Sequence, residues 1–143
     1  MNEPILPPQD LEAEQAALGS ALVEPKAGLI VARMLRESDF YREVHQQIFA
    51  AIQAVVDRRD PVDLITVSAE LRRRDRLERV GGAEYLDALI GTVPTAAHVG
   101  RYAQLIAEKA LLRDLVHTGS SIMQAGYDNP SDVRAALDRS EER

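Results

Sequence analysis

Cysteine and tryptophan are both missing from the 143-residue chain, and aromatic residues make up only 4% of it. The first absence removes disulfides, thiolate zinc sites and cysteine nucleophiles together, and it suits a reducing compartment. Lysine is nearly missing too, with only Lys26 and Lys109. Neither has the glycine spacing of a phosphate-binding loop, so G-x-x-x-x-G-K-[ST] cannot be written, and no G-x-G-x-x-G occurs. That pattern argues against an ATPase site within these residues. No run approaches the roughly 20 apolar residues of a membrane helix. The start, MNEPILPPQD, carries acidic residues and prolines where a signal peptide needs a basic end and an apolar run. The expectation is a soluble, cytoplasmic chain.

A basic segment is also lacking. Seventeen basic residues face 23 acidic ones, a net charge of −6. Cutting after Val80 leaves −3 on each side, so neither part is an arm built to neutralise phosphates. What the chain does have is apolar residues, 45% of the total, ample for the core of one domain of about 100–150 residues.

Those apolar residues recur with helical spacing. Pro4, Pro7 and Pro8 make residues 1–9 an extended arm. Asp10 fits an N-cap, with Glu12 and Glu14 in the first turn, where carboxylates suit the helix dipole. Leu11, Ala17, Leu18, Ala21 and Leu22 follow the helical period to Val23, and Pro25 ends the run. A shorter helix is expected over Ala27–Leu35. From Ser38 or Asp39 to about Arg58, Phe40, Val44, Ile48, Ile52 and Val55 mark a helix with a face too broad to leave in water. Asp60-Pro61 is a break, and Asp63 caps a helix carrying Leu64, Val67 and Leu71. Gly81-Gly82 then separates it from Tyr85, Leu86, Leu89 and Ile90, and Pro94 ends the compact part. The stretch Pro61–Val67 is the only strand competitor, and a lone strand has no partner. The expected class is all-α: a small helical bundle over residues 10–98, followed by a helical hairpin over 99–143.

The hairpin begins with a candidate helix from Thr95 to about Gly126, long for a globular protein. With Leu111 set at zero and about 100° per residue, Leu115 lies near 40°, Ile122 near 20° and Met123 near 120°. Leu105, Tyr102, Ile106 and Val99 of the earlier turns lie between about 120° and 240°, so the apolar stripe rotates by about 100° between the two halves. One helix therefore serves two surfaces, the bundle first and something else second. After Asn129-Pro130, Ser131 can cap a last helix carrying Val133, Ala136 and Leu137. Two helices with one apolar seam bury too little to stand alone, and an isologous two-fold contact with a second hairpin solves this. Leu111, Leu115, Ile122, Met123 and Leu137 are the expected interface. The alternative is a monomer in which they bury against their own bundle. The chain stops at Arg143 among helix-favouring residues without a cap, so the natural chain is expected to continue.

No metal or catalytic constellation emerges. His45, His98 and His117 show no H-x-x-x-H or E-x-x-H pairing on one helix and are read as capped or half-buried structural histidines. His117 beside Ser120 and Ser121 on a helix has neither the strained turn nor the oxyanion hole of a catalytic serine. Glu12/Glu14 and Asp57/Asp60 read as solvated helix ends. Arg72, Arg73, Arg74, Arg76 and Arg79 form the one charge cluster. A DNA contact in a helix-turn-helix module is its functional reading. Glu70, Asp75 and Glu78 interleave with these arginines and favour local ion pairs instead, and no aromatic residue lies among them for stacking.

In this order and spacing the sequence resembles the N-terminal domain of the bacterial replicative DNA helicase family, the DnaB family. The resemblance covers nearly the whole chain. It runs through Pro7-Pro8, Glu12-Ala13-Glu14-Gln15, Leu18-Gly19, Asp39-Phe40-Tyr41, His45, Ile48-Phe49 and Pro61-Val62-Asp63-Leu64-Ile65-Thr66. Leu77, Gly81-Gly82, Tyr85-Leu86, Pro94, Tyr102-Ala103, Glu108, Ala110 and Arg113 complete it. The resemblance implies a non-catalytic collar domain: hairpins pair between subunits, and six domains form a trimer of dimers. It implies docking of DNA primase and, in some members, of a helicase loader, at the replication fork. ATP and Mg belong by the same resemblance to a RecA-like motor domain, reached through a linker, that contacts DNA and is not in this sequence. No catalytic, cofactor or metal residue is therefore expected in these 143 residues. The primase footprint is spread over a surface, so no residue of it carries over.

Overall fold

A computed structural model describes residues 5–128 and 133–141. Seven α-helices and two 3-10 turns account for its regular structure, and no strand occurs among the described residues. Helix α1 is Leu11–Val23, α2 Pro25–Met34, α3 Glu43–Asp57, α4 Leu64–Arg73, α5 Gly82–Gly91, α6 Val99–Tyr127 and α7 Val133–Glu141. The chain divides into two compact units, residues 9–110 and residues 1–8 with 111–143. The first unit thus takes in the opening turns of α6 and does not stop at His98.

Local chemistry explains most boundaries. The Asp10 carboxylate accepts a 2.9 Å hydrogen bond from the Ala13 N–H and starts α1. Helix α2 begins two residues before the expected Ala27, at Pro25. Proline is favourable at a first helical position, where no N–H is needed, and the Glu24 side chain caps the turn from Lys26 N. Asp63 and Thr66 form a reciprocal capping box, with Thr66 N to Asp63 Oδ1 at 2.8 Å and Asp63 N to Thr66 Oγ1 at 3.0 Å. The segment 61–67 therefore turns into α4. Gly81 opens α5 with φ of 107°, a left-handed conformation that glycine tolerates.

Two expected starts move. Helix α3 begins at Glu43, because Asp39 accepts a 2.8 Å bond from Arg36 N and closes a 3-10 turn over Glu37–Asp39. Phe40 follows in extended backbone and is buried against Phe49, ring centroids 5.1 Å apart. Helix α6 begins at Val99, after a 3-10 turn over Ala96–His98 capped by Thr95. Asn129, Pro130 and the expected Ser131 cap lie outside the described residues.

The core of the first unit gathers Leu18, Val31, Ile48, Ile52, Val55, Val67, Leu71, Leu86, Leu89 and Ile106. Helices α1 and α5 approach closely at Gly19, where a Cβ would collide with the Leu89 carbonyl oxygen and the Val93 side chain. In the second unit the N-terminal arm is held at Pro8, whose carbonyl oxygen accepts a 2.8 Å bond from Arg113 Nη1 on α6.

Candidate subunit interface

Helix α6 changes its buried side along its length. Val99, Ala103, Ile106 and Ala110 are its buried residues. They centre near 250° on the helical wheel that has Leu111 at zero. From Leu111 onward the apolar residues face away from that stripe. Leu111, Leu112, Leu115, Val116, Ile122, Met123 and Tyr127 are all exposed and fall within about 0–160°. The swing is therefore about half a turn, larger than the 100° expected from the bulky residues alone. Ala103 and Ala110 carry the bundle contact, while Tyr102 and Leu105 are only half-buried at its edge.

The expected interface residues are indeed left in solvent: Leu111 is 69% exposed, Leu115 68%, Ile122 49%, Met123 57% and, on α7, Leu137 59%. They are not buried against their own bundle. Leu112, Val116, Tyr127 and Val133 join this exposed set. Between Leu111 and Tyr127 the only charged residues are Arg113 and Asp114, and both lie outside the apolar arc, near 200° and 300°. Gly119 and Gly126 sit near its centre line, at about 80° and 60°, and a Cβ on either would meet nothing within 4 Å. Two mid-helix glycines cost helix stability, which close approach of another backbone would offset.

The arginine cluster is spent largely on one carboxylate. Glu70 is buried, and its oxygens accept from Arg58 Nη1 at 2.7 Å, Arg73 Nη2 at 2.7 Å and Arg74 Nε at 2.6 Å. The Arg73 hydrogen bonds are the largest influence holding the Glu70 carboxyl well below the usual glutamate range, with Arg74 and Arg58 adding to it against the opposing effect of burial. The hydrogen bond to Glu70 in turn pushes the Arg58 and Arg73 guanidiniums up. Arg72 and Arg79 are exposed and Arg76 is half-buried. The cluster thus ties the end of α3 to α4.

Glu14 departs from the solvated-end reading. It is buried together with His45: Glu14 Oε1 accepts from His45 Nδ1 at 2.7 Å, and Glu14 Oε2 accepts from Tyr41 N at 2.8 Å. His45 Nε2 meets the Tyr85 hydroxyl at 2.7 Å, and Arg42 Nη1 donates to that hydroxyl at 3.3 Å. A carboxylate only accepts, so Nδ1 carries a proton. This chain joins α1, α3 and α5 with no buried polar side-chain atom left unpaired among the described residues. His98 and His117, expected to be half-buried, are exposed. Among the described residues no three His, Asp or Glu side chains gather as a metal site, and no helix is long and apolar enough to cross a membrane.

Comparison with known proteins bears out the resemblance read from the sequence. Residues 6–108 match the family described as DnaB-like helicase N terminal domain. The chain is 45% identical over 138 residues to the replicative DNA helicase DnaB of Geobacillus stearothermophilus, and 50% identical over 137 residues to that of Mycobacterium leprae. These matches cover 96% and 94% of this chain but only 30% and 23% of those proteins. The chain is also similar to the crystal structure of the N-terminal domain of DnaB helicase from Mycobacterium tuberculosis, at 49% identity and a TM-score of 0.90. That match covers 96% of this chain and 97% of that one.

Proposed function

The chain belongs to the DnaB-like helicase N terminal domain family, and from that premise we propose that it is a non-catalytic collar domain of a hexameric replicative DNA helicase. In this reading it pairs subunits through the second half of α6 with α7, builds a trimer of dimers, and docks DNA primase during replication in the cytoplasm. A helicase loader is a further partner. Strand separation, ATP with its Mg, and the main DNA contact belong to a motor domain in the remaining length of the helicase.

The observation that carries this reading is the charge-free apolar arc from Leu111 to Tyr127, exposed along five turns of helix. Monomeric proteins seldom leave so continuous an apolar surface in water. Two copies facing each other across a two-fold axis would bury both arcs. The family match ends at residue 108, so the arc is an independent support.

Primase docking is tested by titrating this chain with the DNA primase of the same cell, using calorimetry. Saturable binding to the paired chain, weakened when pairing is broken by Leu115→Asp, supports the reading. No heat and no co-elution at the highest concentrations would overturn the docking role.

A further inference from the structure

The first compact unit carries two exposed surfaces that complement each other and that hairpin pairing does not use. One is a ridge on α2. Lys26, Leu29, Ile30, Arg33 and Met34 are all exposed and lie within about 140° of one another around the helix. The stripe mixes apolar side chains with two cations and holds no carboxylate. Neither Lys26 nor Arg33 is ion-paired among the described residues.

The other is a groove of about 440 Å³ between the start of α1, the end of α5 and the start of α6. Pro94, Tyr102 and Leu105 give it an apolar lining, Asp10 and Glu12 supply carboxylates, and no lysine or arginine lines it. Its sign follows from the sequence: residues 1–25 and 80–100 contain no lysine or arginine, whereas residues 26–79 hold eleven. Helices α1 and α5 come from the first two stretches, and α2 opens the third.

We infer that the α2 ridge of one copy of this chain seats in the α1–α5–α6 groove of the next, an amphipathic helix in a groove of opposite charge. The ridge and the groove share no residue, so the contact is heterologous and propagates from copy to copy until it closes into a ring or runs on. It is a second contact, added to hairpin pairing and separable from it. Apolar pairing at the hairpin is insensitive to salt, whereas a contact selected by Lys26, Arg33, Asp10 and Glu12 is screened by it.

The test is sedimentation velocity of the full 143-residue chain at low and high salt, for the wild type and for charge-reversed variants. Lys26→Glu with Arg33→Glu places like charges across the contact, as does Glu12→Lys alone. Asp10 is left in place because it caps α1. The wild type at low salt forms species larger than a pair, and high salt returns them to pairs. Either reversal weakens that larger assembly at least about tenfold while leaving pairs intact, and combining the two reversals restores it. A wild type that never exceeds a pair, or reversed variants that assemble as the wild type does, would overturn the inference. Failure of hairpin pairing looks different: single chains persist at high salt, while the salt-sensitive association still depends on Lys26, Arg33 and Glu12.

Discussion

Glu14 Oε1 on α1 and His45 Nδ1 on α3 lie 2.7 Å apart, both buried and 31 residues apart in sequence. Between them, Tyr41 N and the Tyr85 hydroxyl satisfy the remaining groups. Deleting one partner strands the other in the core, which costs about 3 kcal/mol or more. Glu14→Ala and His45→Ala should each lower the stability measured by urea unfolding by that order. The double variant should lose clearly less than the sum of the two, because the pair acts as a unit. Tyr85→Phe keeps the ring and should lose about 1 kcal/mol.

Gly19 allows α1 to touch α5, and a methyl group there meets the Leu89 carbonyl oxygen and Val93. Gly19→Ala should therefore destabilise the chain by about 1–3 kcal/mol, as overpacking does, despite alanine's better helix propensity. Gly91 is open, with nothing within 4 Å of a Cβ. Gly91→Ala provides the control, and its thermal midpoint should not fall in the same way.

The Glu70 cluster sets a pH dependence with a definite sign. Its folded carboxyl titrates below the ordinary glutamate value of 4.5. Its contribution is therefore fully present above that value and is lost as pH falls towards the depressed folded one. Glu70→Gln should cost about 1–2 kcal/mol at neutral pH. The gap between wild type and variant in urea unfolding should close progressively in acid. A gap that held constant to strongly acid pH would mean that the ion pairs contribute nothing.

Gly119 separates helix propensity from pairing. Replacing it with alanine adds about 1 kcal/mol of helix propensity within α6. If two backbones approach there, the added methyl groups hold them apart. Gly119→Ala should raise helicity at low concentration by circular dichroism while weakening self-association in sedimentation equilibrium.

Much of the fold was legible in local chemistry. Asp10 and Asp63 announce their caps, Gly81-Gly82 marks its turn, and the isoleucine spacing of α3 states its buried face. The exposed arc was legible too, since Leu111, Leu115, Ile122 and Met123 fit no surface that Val99 and Ile106 share. The burial of Glu14 was not, because Glu12 beside it is exposed and both satisfy the helix dipole equally. A usable signal existed: Glu14 precedes Ala17, Leu18 and Ala21 at three, four and seven residues, all of them buried. The extent of the swing along α6 was hidden for a related reason. Ala103 and Ala110 carry little apolar surface and do not stand out in a stripe of larger residues. The gathering of Arg58 with Arg73 and Arg74 around Glu70 joins two helices, which no local spacing specifies.

Subunit pairing through the second half of α6 is the central claim. Its most direct test is the light-scattering mass of the wild-type chain beside Leu115→Asp at equal concentration and high salt, where surface charge contacts are screened. The account predicts twice 15.8 kDa for the wild type and 15.8 kDa for the variant, since a buried unpaired aspartate costs several kcal/mol of association, about 3 or more. A wild type that stays at 15.8 kDa at the highest concentration, or a variant that pairs as the wild type does, would contradict it.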